Sequence, residues 1–174
     1  MNRSICGRMR IAAITVVILA GCGRDENARG GKPCPGSAQP AALPNTVQAT
    51  FLPMELRLPV DSFRRREIKD PAGHAEGWSG RSGLAVSYTA QAGLVRMRDL
   101  SFGDSRVVNC TEEIDGRQTQ ISMFYSRTTT APGQRVLAVW TLGDRQTVVV
   151  RAFHPDAGRR DELLSIVQSV RFKH

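Results

Sequence analysis

The sequence predicts an α+β fold: an antiparallel β-sheet built from consecutive hairpins, with a C-terminal helix packed on one face. Two observations carry the sheet. Strand-like runs at residues 106–114 and 117–127 flank Asp115-Gly116, and runs at 135–142 and 145–153 flank Gly143-Asp144. Asp-Gly suits a type I′ turn, whose central residues both need positive φ, and Gly in first place suits type II′. A third observation carries the helix. Leu163, Leu164, Ile166, Val167 and Val170 fall on one arc at helical spacing, while Ser165, Gln168 and Ser169 fall outside it.

The remaining elements follow in chain order. Residues 47–58 alternate loosely, with Pro53 and Pro59 confining them to strand ends or an edge. Residues 61–83 are polar and Gly-rich and show neither period. Residues 84–89 read as a strand and 94–97 as a second, short one. In the second hairpin, 136–140 and 148–150 are nearly continuous apolar runs, the pattern of central strands covered on both faces. Asp156 is placed to cap the helix, and Asp161 and Glu162 favour its positive end.

The N-terminus carries an address. Arg3, Arg8 and Arg10 precede an apolar stretch at residues 11–20, which is too short for a transmembrane helix and fits a signal peptide. Leu19-Ala20-Gly21-Cys22 follows at once and resembles the lipobox of bacterial lipoproteins. That resemblance implies cleavage before Cys22 and acylation of its thiol with fatty chains such as palmitate. The organisation expected is a signal peptide at 1–21, a lipidated, flexible Gly/Pro/Ala-rich spacer at 22–45 and a globular domain at 46–174. The lipid bilayer is then a partner through acylated Cys22, because two or more acyl chains hold stably. Gly at 23, rather than Asp, implies the outer membrane facing the periplasm in a host with two membranes, and otherwise the cell surface.

Four cysteines are present: Cys6 in the signal segment, Cys22 at the lipobox, and Cys34 and Cys110. In an oxidising compartment the last two are expected to form a disulfide. The net charge is +8, mostly from arginine. A basic balance raises a nucleic-acid partner, which export argues against. A solvated surface, or one resting on anionic headgroups, fits better. The densest basic run, Arg64, Arg65 and Arg66, is the candidate contact for lipid headgroups, a polyanion or an acidic protein.

The closing run Asp-Glu-Leu-Leu-Ser-Ile-Val-Gln-Ser-Val-Arg-Phe, residues 161–172, resembles the tail of the PsbP-like fold, in which a last helix ends in a Ser-Val-Arg-Phe type sequence. The resemblance covers about the last third of the chain. It implies binding or scaffolding more than chemistry.

No catalytic or metal-binding constellation stands out. His74, His154 and His174 share no ligand spacing, and there is no HExxH, CxxC, nucleophile elbow or phosphate loop. Glu112 and Glu113 alternate across a strand, and Asp115 is explained by its turn. Trp140 reads as core, whereas Trp78 lines a binding surface or covers the sheet. No cofactor is expected. The leading expectation is a membrane-anchored envelope lipoprotein with a non-catalytic binding or accessory domain, its partner another envelope component. The alternatives are an envelope hydrolase with dispersed catalytic residues, and a lipoprotein that binds a small ligand in an apolar pocket between helix and sheet.

Overall fold

The computed structural model describes residues 32–35, 41–70, 73–95, 97, 107–127, 130–143 and 145–173. The segment expected to be a signal peptide, Cys22 and most of the expected spacer lie outside these residues. Ten strands are described: β1 (Asn45–Gln48), β2 (Met54–Leu58), β3 (Arg64–Asp70), β4 (Gly73–Ser79), β5 (Ala85–Ala92), β6 (Val108–Ile114), β7 (Arg117–Ser126), β8 (Gly133–Leu142), β9 (Gln146–His154) and β10 (Arg171–Phe172). Helix α1 (Arg160–Gln168) follows a 3-10 turn at Ala157–Arg159.

The strands form two sheets. One has seven strands in the order β3-β4-β5-β9-β8-β7-β6, and the other three in the order β1-β2-β10. Every pairing is antiparallel. The large sheet joins two meanders, β3-β4-β5 and β6-β7-β8-β9, by laying β9 against β5. Both predicted hairpins are present. Asp115 and Gly116 have φ of 55° and 69°, as the type I′ turn requires, and Gly143 has φ of 60°.

The architecture corrects the α+β expectation. Ten strands against one nine-residue helix make the described chain largely β. The uninterpreted stretch 61–83 holds a complete hairpin, β3-β4. A second sheet, not the helix alone, covers the inner face. Met54, Leu56 and Leu58 from β2 and Phe172 from β10 share one core with Val86, Tyr88, Val136, Trp140, Val148 and Val150 of the large sheet. The short strand expected at 94–97 is not found at the described residues 94, 95 and 97: after the bond from Gly93 N–H to the Arg145 carbonyl, Leu94 stands 70% exposed.

Helix α1 completes the cover. Leu163, Leu164, Ile166 and Val167 are fully buried, and full burial of such side chains contributes about 1.5–3 kcal/mol each. Its polar side is also engaged. Ser165 is buried, not solvent-facing as its place outside the arc predicts. Its Oγ donates to the Asp161 carbonyl and accepts the Ala41 N–H. Gln168 donates to Glu112 of β6, and the Ser169 hydroxyl accepts the Arg57 N–H of β2. Asp156 caps the 3-10 turn through the Gly158 N–H rather than α1 itself.

Candidate functional site

Strand β3 forms an outer edge of the large sheet, and its side chains alternate. Partners across an antiparallel pair share a face, so Arg65, Glu67 and Lys69 lie with Trp78, Glu76 and His74 on the inner face. Arg64, Arg66 and Ile68 lie on the outer face opposite Ser79, Gly77 and Ala75. The basic run is therefore split. Arg65 bonds to Glu76. Arg64 and Arg66 are exposed and hold no ion pair among the described residues. No single basic plane results from the three.

Glu76 is the feature that composition and spacing did not reveal. It is 1% exposed, in the middle of β4. Its carboxylate accepts from Arg65, from the Tyr88 hydroxyl at 2.9 Å, and from the Thr50 N–H and hydroxyl at 3.0 and 3.3 Å. Tyr88 in turn accepts the Phe51 N–H at 3.1 Å. A buried charge is tolerated only when paired and hydrogen-bonded, and Glu76 is both. The network ties the β1–β2 connection to β4 and β5. Its partners come from separate segments, so no local motif marks it.

Beside this network lies an open depression of about 440 Å³, lined by Phe51, Glu67, Ile68, Lys69, Asp70, Gly73, His74 and Ala75. Phe51 stacks on His74 with ring centroids 4.9 Å apart. Gly73 is required here, because a Cβ would stand 2.1 Å from the Ala90 carbonyl oxygen. On the outer face, Thr89 donates to Asp70 and accepts from Arg151 at 2.9 Å. Burial pulls the Arg151 guanidinium below the ordinary arginine value, and Asp70 opposes that shift. Its charge persists, since arginine stays protonated in proteins.

The opposite edge of the large sheet carries residues 32–34. Cys34 and Cys110 are joined in a disulfide, their Cα atoms 4.9 Å apart, as the cysteine count predicts. The Thr111 N–H donates to the Lys32 carbonyl alongside. Residues 32–34 thus lie on β6. Closing so long a loop contributes about 4 kcal/mol in the chain-entropy account.

The remaining singled-out residues have structural partners. His154 is buried at the end of β9, and its Nδ1 accepts the Asp156 N–H. Trp78 is buried against Tyr88 and covers the sheet. Trp140 is fully buried and meets Phe172 edge-on. Asp115 does more than turn the chain: it accepts the Phe172 N–H and so holds β10. The space between helix and sheet is filled by core side chains, so the expected apolar pocket there is absent among the described residues. No group of three or more metal-ligating side chains gathers among them either. No helix in the described part is long and apolar enough to cross a membrane.

No family model matches the chain, and no curated protein matches it. Among solved structures it is similar to cyanobacterial PsbP (CyanoP) from Synechocystis sp. PCC 6803. The similarity has 12% identity and a TM-score of 0.49, and it covers 80% of this chain and 97% of that one. That protein carries the family name that the C-terminal tail resembles.

Proposed function

We propose that the chain is an exported lipoprotein, tethered to a membrane through acylated Cys22, whose domain is a non-catalytic binding or accessory module of the cell envelope. The disulfide is the observation that carries this reading. It belongs to an oxidising compartment. It also uses two of the three cysteines that follow the apolar N-terminal stretch, which leaves Cys22 as the odd one, at the lipobox. The use of the polar groups supports a binding rather than a catalytic role. Glu76, Asp115 and Glu112 each hold one element to another, and His154 fixes the turn that follows β9. Glu112 and His154, with their partners fixed, are poorly placed to act as acid or base.

Replacing Cys22 with Ala tests the tether. In fractionated cells the wild-type chain is expected in membranes, and the variant is expected to remain unprocessed or to leave the membrane. A processed variant that stays in membranes like wild type overturns the reading.

A further inference from the structure

We infer that the β3 edge of the large sheet is a docking site for an extended acidic segment of a partner protein, which adds there as an eighth, antiparallel strand. The inference rests on the reading of the domain as a binding module and names its surface. A strand at a sheet edge presents a row of unpaired backbone N–H and C=O groups. The two ends of the large sheet differ in this respect. At β6 the chain covers its own edge with residues 32–34, fastened by the Cys34–Cys110 disulfide and the bond from the Thr111 N–H to Lys32. At β3 no described strand covers the edge, and six of its seven residues are exposed. In the small sheet the edges are only four and two residues long.

Side chains along β3 state what the added strand must look like. Arg64, Arg66 and Ile68 share the outer face at alternate positions, and Ile68 is 40% exposed beside the open depression. Directly opposed residues on paired strands interact, favourably for opposite charges and unfavourably for like ones. An antiparallel segment reading apolar-x-acidic-x-acidic sets its apolar residue against Ile68 and its carboxylates against Arg66 and Arg64. A flat anionic membrane fits less well, because alternation turns Arg65 to the other face and onto Glu76.

The test uses the full chain purified from membranes in detergent. The probe is a labelled peptide, acetyl-Thr-Val-Thr-Glu-Thr-Glu-Thr-amide, with two controls: Lys in place of Glu, and alternate backbone amides methylated. Saturable binding of the acidic peptide is expected, with slowed amide exchange confined to residues 64–70. Both controls are expected to fail. Arg64→Glu with Arg66→Glu is expected to weaken binding by about tenfold or more, as opposed pairs become like-charged. Both positions are exposed, so the fold is expected to survive. Several results overturn the inference: no saturable binding, equal binding of the methylated peptide, or slowed exchange elsewhere. Protection of β3 by anionic vesicles but not by the peptide, or by self-association of the chain, does so as well. The Cys22→Ala fractionation is read without any peptide, so loss of this inference and loss of the tether are separate outcomes.

Discussion

Glu76 shows how a buried charge becomes a structural tie. Truncating it leaves the Tyr88 hydroxyl and the Thr50 N–H without their acceptor, and an unsatisfied buried polar group costs about 1–3 kcal/mol. Glu76→Ala is therefore expected to lower stability by about 3 kcal/mol or more in urea denaturation. Arg65 has half its side chain in solvent but is the cation beside a buried carboxylate, so Arg65→Ala is expected to cost about 3 kcal/mol or more as well. A loss under about 1 kcal/mol for Arg65→Ala would contradict the need for that pairing. Asp61 makes a second, exposed tie, accepting from the Ser82 N–H at 3.1 Å, the Ser82 hydroxyl at 2.9 Å and the Ser62 N–H at 2.6 Å. The bonds from Ser82 lead in holding its carboxyl below the ordinary 3.8. A depressed carboxylate stabilises above its unfolded-state value, and that contribution fades as pH falls through the lower folded-state value. The melting gap between wild type and Asp61→Asn is thus expected near neutral pH and is expected to close in strong acid. A gap that persists unchanged into acid would contradict it. Neither tie was legible from spacing, because each joins residues distant in sequence through side chains with ordinary local explanations.

Among the elements, those with turn chemistry or a clear period were legible. Hairpins β6-β7 and β8-β9 announce themselves through Asp115-Gly116 and Gly143, and α1 through its apolar arc. Strands β3 and β4 do not. An edge strand exposed along its length has no apolar alternation, and β4 begins with Gly73 because β5 passes too close there for a Cβ. Residues outside the helix's apolar arc were misread for a similar reason. Ser165 and Gln168 look solvent-facing, yet they receive the residues before β1 and the side of β6. The helix is consequently gripped on several sides, and an isolated helix this short has little order of its own in water. Leu163→Ala is expected to cost about 2–5 kcal/mol. Val167→Asp is expected to cost more, since it places an unpaired carboxylate in the core. Unchanged melting in both variants would instead make the arc an interface.

At the scale of the whole molecule, the two ends of the large sheet differ. The β6 end is joined to Cys34 by the disulfide, and the β3 end is exposed at six of its seven residues. The lipobox and the cysteine count point to the tether from sequence alone. The place of β3 is a property of strand order, which brings β9 beside β5 and leaves β3 outermost among the described strands, and no local pattern encodes that order. The tether is tested by the intact mass of the protein extracted from membranes, alkylated without reductant. The predicted species begins at Cys22, carries the mass of diacylglycerol and an acyl chain on its N-terminal fragment, and shows no alkylated thiol. A chain that begins elsewhere, or one whose Cys22 takes the alkylating label, would contradict it.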